Sequence, residues 1–337
     1  MGFDFDKASQ SFDSLPFQDR LSAVGNLVKN TFTVIGRDRD IVVPFTRMAI
    51  YHFIMVTTFF YGAMGWWYEL PGEAWALVLA VLLFLYKHFY HNKQEIRLSW
   101  TVNETITGND PDYAGATRAS KGLKGQIRIL AWLDIGMAVL RRAKSKEGGV
   151  VNWLINLFIT GLREVWDLVN HYLLPSVAVD GHDIKPGIEK MKKLKDQVPE
   201  SLVGVFGIDF LGSVIRRVTV PVYTGLFVIA ALAGYFGTGL FPSYEIPFEG
   251  TPITLTPIPL VIALYFGKIF NNLFERTVTC IKVIYFTIFY AKITHPDSIS
   301  EDLREELLNY LKLDQVDEVE NLDSQEAAEG DMQAAPA

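Results

Sequence analysis

The residues of this chain whose types and spacing could support chemistry lie mostly along one apolar segment, 259–294. Six polar side chains recur on it at helical spacing: Lys268, Asn271, Asn272, Glu275, Thr279 and Lys282. Charged and amide groups at membrane depth are costly unless they pair with one another or line a polar path. The stripe therefore predicts a polar pathway for an ion or solute, or a set of buried ion pairs. The alternative is a helix that has already left the bilayer near Lys268 and carries these residues on a cytoplasmic surface.

A second polar stripe lies within the apolar segment 150–179. Its ionisable members are Arg163, Glu164, Asp167 and His171. In a buried helix these residues would mark an ion path or a proton relay. On a helix lying at the bilayer surface they would face water, with Arg163 and Asp167 as an i,i+4 ion pair. The surface position is favoured, since a charge at the centre of a span costs about 2.5–3.5 kcal/mol.

Two further groups carry weaker signals. Asp209 lies near Arg216 and Arg217, and paired arginines at the end of a span more often anchor its topology. His88 and His91 stand one helical turn apart, but two ligands are a weak indication of a metal site. We expect these histidines to reach toward the membrane interface instead.

The sequence lacks the usual motifs of catalysis. It contains no Gly-rich phosphate loop, no G-x-S-x-G and no cluster of Cys and His, and Cys280 is its only cysteine. We therefore expect no enzymatic activity, no cofactor and no metal site.

Long apolar segments must position these polar residues. Half of the 337 residues are hydrophobic, and runs of this length predict transmembrane helices. The fold class that follows is all-α, a polytopic integral membrane protein. Four spans are predicted, at 45–68, 73–90, 218–241 and 259–294. The last is about 50 Å long as a helix, against about 30 Å of hydrocarbon, so one end should project into water or among other helices.

The number of crossings depends on two segments, 126–143 and 150–178. Each either spans the membrane, giving six crossings, or lies at its surface, giving four. Under the positive-inside rule, the basic linker 141–146 between them should not lie on the outer side of the membrane. Four crossings are therefore favoured, with interfacial amphipathic helices in between.

The chain divides by composition into six parts. An amphipathic N-terminal segment occupies 1–43, the first transmembrane hairpin 44–91, and a basic helical region 92–200. The second, long hairpin follows at 201–296, then a short helix at 297–313 and an acidic tail at 314–337, predicted to be disordered. From residue 296 onward there are 13 acidic and two basic residues.

Loop charges predict the topology. The segment 92–146 contains ten Lys and Arg, whereas the loops 69–72 and 241–259 contain none. The positive-inside rule then places both chain ends in the cytoplasm and indicates the plasma (inner) membrane. The expected partners are the lipid bilayer, and anionic headgroups facing the basic region; nucleic acid is not expected.

Several segments together resemble a known family. They are the Gly36–Asp40 motif before Pro44, the stretch GLKGQIRILAWLDIGMAVLRR at 122–142, the stretch 166–180, and the basic helix 185–194 leading into 202–204. Their order resembles an uncharacterised family of prokaryotic multi-pass membrane proteins, related in architecture to the membrane domain of some glycerophosphodiester phosphodiesterases. The resemblance implies a membrane fold, usually with six spans, and supplies no activity and no catalytic residues.

Two functions fit these features. The first is an oligomeric pore or transporter for an ion or small solute, which suits the polar stripes. The second is a non-catalytic scaffold or accessory subunit of a membrane complex, which suits the small-xxx-small pairs Ala230/Gly234 and Ala233/Gly237 and the acidic tail. A membrane-embedded lipid enzyme ranks last because no nucleophile and base stand out.

Overall fold

A computed structural model describes most of the chain: residues 16–143, 173–183, 186–187, 200–237, 239, 242–248 and 251–303. The predictions made for 1–15, for the stripe 163–171 and for the acidic tail lie outside these residues, as does most of 297–313. The described helices are α1 (Phe17–Arg37), α2 (Val42–Tyr68), α3 (Glu73–Ile106), α4 (Tyr113–Gly122), α5 (Lys124–Ala143), α6 (Glu200–Phe236) and α7 (Ile258–Thr294), with a further helical segment at 173–180.

Four of the described helices are long and apolar enough to cross a membrane. They are Arg39–Tyr68, Glu73–Ile106, Gly212–Phe236 and Ile258–Thr294, each of which contains or largely overlaps one predicted span. Helix α5 is not among them, because its 20 residues carry five charged side chains: Lys124, Arg128, Asp134, Arg141 and Arg142. The segment 150–172, the other candidate for an extra crossing, lies outside the described residues.

The ends of the helices differ from the sequence-based bounds. Helix α2 starts at Val42, so Pro44 lies in its first turn, where the missing N–H of proline does no harm. The second predicted span ends at residue 90, whereas α3 continues without a break to Ile106. Helix α7 matches its predicted extent within one residue. Both α3 and α7 therefore reach well beyond the thickness of one bilayer.

Exposure divides these long helices into two regions. Large apolar side chains are exposed along 50–67 of α2, 75–86 of α3, 220–236 of α6 and 262–274 of α7. We call these four stretches the exposed belt. Beyond it, 91–106 of α3 and 278–291 of α7 are mostly buried, and we call them the packed core. Helices α1, α4 and α5 and the segment 173–180 supply the residues that cover this core.

Aromatic side chains fill the packed core. Tyr285, Phe286, Phe289 and Tyr290 are each at most 1% exposed. Buried aromatic rings at four of the six positions 285–290 point to different sides of α7, so this part of the helix needs protein all around it. The sequence left open whether the projecting end of the last helix lies in water or among other helices. In the structure it lies among other helices.

Small residues bring α2 and α3 close together. A Cβ on Gly62 would lie 2.8 Å from the Leu77 side chain, and one on Gly65 would lie 2.6 Å from Cβ of Glu73. The turn between the helices uses left-handed backbone at Glu69 (φ 55°) and Gly72 (φ 81°). This tight hairpin fixes the relative height of the two helices.

A β-hairpin closes the loop between α6 and α7. Strands Tyr244–Phe248 and Thr251–Leu255 pair antiparallel, with Pro247 opposite Pro252. The sequence predicts only a turn-rich loop here, since prolines argue against strands. In a two-stranded hairpin both strands are edges, so the missing donors can face outward. The N–H of Thr256 donates to the carbonyl of Gly234 (3.1 Å), which ties the hairpin to α6.

Candidate functional site

A cavity of about 1170 Å³ lies among α2, α3, α6 and α7, which carry the four segments of the described chain that are long and apolar enough to cross a membrane. It is larger than the roughly 300–1,000 Å³ typical of small-molecule sites. Its lining residues lie in the exposed belt or within two residues of it. The site is therefore at the depth where the apolar belt meets the packed core.

One end of the cavity is polar. Its polar lining residues are His52, Lys87, Tyr223, Thr224, Lys268, Asn271, Asn272, Glu275 and Arg276. Four of them belong to the polar stripe predicted on the last helix: Lys268, Asn271, Asn272 and Glu275. The stripe thus faces a cavity within one chain.

The other end of the cavity is apolar. Its walls are Met55, Val56, Phe59 and Phe60 of α2, Ala80, Val81 and Phe84 of α3, Leu226 and Phe227 of α6, and Ala263 and Leu264 of α7. On every helix these residues lie on the side of the turn and hairpin, and the polar residues lie on the side of the packed core. Polarity is therefore sorted along the cavity axis.

The length of the cavity can be read from α7. From Leu264 to Arg276 the helix rises about 18 Å, at 1.5 Å per residue. One leaflet of hydrocarbon is about 15 Å, half of the usual 30 Å core. The cavity spans a distance close to that of a single leaflet, with its polar end at the edge of the apolar belt.

Several donors at the polar end are buried without a partner. The side chain of Asn272 is 4% exposed, and its Nδ2 has no hydrogen-bond partner among the described residues. The same holds for the buried atoms Tyr223 Oη and Arg276 Nε. An unsatisfied buried polar group costs about 1–3 kcal/mol. Orphaned donors that line one cavity indicate a place for an acceptor-rich ligand or for ordered water.

The charge at the polar end is predominantly positive. Lys87, Lys268 and Arg276 line it, and Glu275 is the carboxylate among the lining residues. Glu275 already accepts a hydrogen bond from Asn271 Nδ2 (3.0 Å). With Glu95, which pairs with Arg276, counted as well, three cations face two carboxylates, and this excess of positive charge favours an anionic group in the cavity.

Arg276 links the cavity to the packed core. Its Nη1 lies 3.6 Å from Oε1 of Glu95 and 3.2 Å from Nδ1 of His91. The side chains of Arg276 and Glu95 are only 16% and 17% exposed, so this ion pair is largely shielded from water. Since arginine only donates, Nδ1 of His91 accepts. The rings of His91 and His52 stack with centroids 4.5 Å apart.

The position of His91 corrects one expectation. The sequence suggested that His88 and His91 reach toward the membrane interface, but His91 is 5% exposed and lies under the cavity. The next residue, Asn92, donates from Nδ2 to the carboxylate of Asp134 on α5 (2.6 Å). This part of α3 is therefore a buried polar layer, which α7 and α5 cover.

The remaining predicted residues do not meet at the cavity. Lys282 and Thr279 lie on the part of α7 beyond the cavity, and Thr279 donates to the carbonyl of Glu275 (2.9 Å). Asp209 lies within the backbone of α6, and its side chain is outside what the structure describes. Arg163, Glu164, Asp167 and His171 are outside the described residues altogether.

Sequence reasoning missed six residues of the site: His52, Lys87, Glu95, Tyr223, Thr224 and Arg276. Arg276 carried a usable signal, since it follows Asn272 by four residues and shares its helical face. His52 lies more than one turn inside the apolar span, beyond Arg47 near its start, and an ionisable side chain at that depth is a signal in itself. Lys87, Tyr223 and Glu95 gave none, because nothing local shows which neighbouring helix they face.

A second polar cluster lies at the far end of α7. Asp180 accepts from Tyr290 Oη, and its other carboxylate oxygen lies 2.7 Å from His295 Nε2. His182 Nδ1 stands 3.3 Å from the same carboxylate. This cluster attaches the segment 173–183 to α7. Within the described parts of the chain, no three Cys, His, Asp or Glu residues are grouped to hold a metal ion.

Comparison with protein-family models, with curated proteins and with solved structures finds no match to this chain. The resemblance to an uncharacterised membrane family stays an expectation. Conclusions about function therefore rest on the chemistry of the cavity.

Proposed function

We propose that this chain is a multi-pass membrane protein of the transporter or pore class, which binds its solute in the cavity among α2, α3, α6 and α7. The observation that carries the proposal is the joining of an apolar and a cationic end in one cavity at the depth of the exposed belt. Polar groups inside a membrane are costly unless they pair with one another or line a cavity of this kind.

The belt supports the membrane location. Trp66, Trp67 and Trp75 are 68%, 59% and 78% exposed near the turn between α2 and α3. Tryptophan at this position is typical of the membrane–water interface. Dozens of exposed apolar side chains elsewhere on the belt would form a patch far larger than a few hundred Å², which soluble monomers rarely show.

Topology and location follow from charge. The basic segments adjoin the packed core, so the positive-inside rule places this core and both chain ends in the cytoplasm of a plasma (inner) membrane. The polar end of the cavity then faces the cytoplasmic leaflet. Self-association, with a partner or a second copy against the belt, is part of the same proposal.

The geometry favours a transporter over an open pore. On the side of the packed core, α7 continues from Arg276 to Tyr285, Phe286, Phe289 and Tyr290, which are each at most 1% exposed, so closely packed aromatic rings lie beyond the polar end of the cavity. A solute would enter from the belt side and be held at a blind polar end. The scaffold alternative keeps only part of its packing argument, because Ala230 and Gly234 are buried on α6, which packs against α7, whereas Ala233 is exposed.

Flux in reconstituted vesicles tests the proposal. The full chain is incorporated into liposomes, and entry of K⁺, Cl⁻, inorganic phosphate and a fluorescent phospholipid is compared with empty vesicles. We expect one of these to cross faster with protein, and Lys268→Gln or Glu275→Gln to change that rate by about fivefold, the effect of one interfacial charge.

The matched control is Arg217→Gln. Arg217 is an exposed basic residue near the same edge of the belt but does not line the cavity, so its removal should leave the rate unchanged. Absence of protein-dependent movement for every probe would remove support from transport and favour the scaffold.

A further inference from the structure

We infer that the cavity binds an anionic phospholipid, with its phosphate at the Lys268–Arg276 end and one acyl chain along the apolar walls toward the turn between α2 and α3. This inference rests on the proposed function, since it names the class of solute that the same cavity takes. It joins three features of the site: the sorted polarity, the unpaired donors, and an open side toward the belt, where the lining residues Phe59, Val81 and Leu264 are each at least half exposed.

The donors at the polar end suit a phosphate group. Asn272 Nδ2, Tyr223 Oη and Arg276 Nε are buried and lack partners among the described residues. Lysine and arginine bind phosphate oxygens through charge-assisted hydrogen bonds. A phosphodiester offers several acceptor oxygens and a negative charge, so it can satisfy these donors and complement the lining cations together.

The apolar walls suit an acyl chain. Phe59 and Phe60 of α2 and Phe227 of α6 line the apolar part of the cavity, and Phe84 of α3 lies where it meets the polar end, with its ring centroid 4.9 Å from Nζ of Lys87. A free phosphate ion would leave these surfaces without contact. Gly267 lies between the two ends, and a Cβ there would meet nothing closer than Tyr223 at 3.9 Å. The missing side chain leaves room at the point where the headgroup joins the chain.

Orientation in the bilayer agrees with this ligand. The polar end lies at the level where the belt ends and the basic segments begin, which is where a headgroup of the cytoplasmic leaflet would sit. The length of about 18 Å along α7 is close to one leaflet of about 15 Å. A lipid could therefore enter sideways from its leaflet without leaving the depth it already occupies.

Native mass spectrometry of the full chain in detergent tests the inference. Phosphatidylglycerol and phosphatidylcholine with identical acyl chains are titrated separately, and glycerol 3-phosphate is added as a soluble competitor. We expect phosphatidylglycerol to bind more tightly than phosphatidylcholine, and glycerol 3-phosphate to compete only weakly because it has no chain. Efficient competition by glycerol 3-phosphate would instead identify a free phosphate site and overturn the lipid assignment.

Four substitutions locate the binding site. Lys268→Gln should weaken phosphatidylglycerol binding by about fivefold, while Lys268→Arg should keep it and Arg217→Gln should leave it unchanged. Lys268 is exposed, so its replacement leaves the fold intact. Gly267→Leu should weaken binding of both lipids by filling the cavity.

The outcomes separate the inference from the proposed function. Equal binding of both lipids, unaffected by Lys268→Gln, would overturn the anionic ligand while leaving the cavity as a solute site. If Gly267→Leu elutes as the parent protein does but changes neither lipid binding nor flux, the cavity is not the binding site, and both proposals are wrong. Selective binding without movement in vesicles would uphold the ligand and count against transport.

Discussion

Helix α3 shows two environments along one unbroken axis. In the exposed belt Trp75 is 78% and Leu82 57% exposed, whereas in the packed core Leu98 and Val102 are fully buried. All four are apolar. The difference is what covers them: the belt is left to the surroundings of the protein, and the core is covered by α1, α4, α5 and the segment 173–180.

The same division shows why the cavity lies where it does. Its polar end coincides with the boundary between belt and core, where α3 passes from Lys87 to the buried His91 and α7 passes from Lys268 to Arg276. At this level side chains can reach both an apolar phase and a polar layer. A site that joins the two chemistries has to be built at such a boundary.

The largest expected contrast concerns two phenylalanines of α7. Phe289→Ala should lower the free energy of unfolding by about 3–5 kcal/mol, because Phe289 is 1% exposed and its loss leaves a cavity in the core. Phe270→Ala should cost far less, since Phe270 is 50% exposed on the belt and faces the surroundings. Denaturant unfolding in detergent micelles measures both. Equal losses would show that the belt is packed as tightly as the core.

A charge placed on the belt tests its surroundings. Leu82→Asp should cost about 2.5–3.5 kcal/mol of membrane insertion, the price of a charged side chain at the centre of a span. The fraction of chain that resists alkaline extraction from membranes measures this loss. Ala114→Asp is the control, because Ala114 is exposed in the first turn of α4, where negative charge is tolerated. Identical extraction of both variants would argue that the belt faces water.

The smallest expected effect concerns a hydrogen bond between two belt helices. Thr57 Oγ1 and Tyr265 Oη are 2.8 Å apart, joining α2 to α7. A double-mutant cycle with Thr57→Val and Tyr265→Phe should give a coupling free energy of about 0.6 kcal/mol. The value is small because polar side chains on separated helices in a membrane find other hydrogen-bond partners. A coupling above about 1.7 kcal/mol would mean that this pair contributes as a buried core pair does. The same cycle on Ser99 and Thr287, whose hydroxyl oxygens are 2.7 Å apart in the packed core, gives the reference coupling for a buried pair.

The polar stripe on α7 was visible in the sequence because helical periodicity places Lys268, Asn271 and Glu275 on one face. The sequence did not show which residues of other helices this stripe faces. The hydrogen bond between Arg276 and His91 joins residues 185 positions apart, and no local pattern relates them. The β-hairpin was missed for a different reason: its prolines argued against strands, and only the pairing with each other made them acceptable.

The sequence by itself determined the apolar segments, their helical form and the face that carries the polar stripe, because these depend on residue type and spacing along one helix. Only the tertiary structure decided which half of α3 and α7 is covered and which side chains from α2, α3 and α6 meet that stripe. Apolar residues read alike whether lipid or protein covers them. Their neighbours are set by the packing of helices far apart in the chain, which periodicity within each helix does not encode.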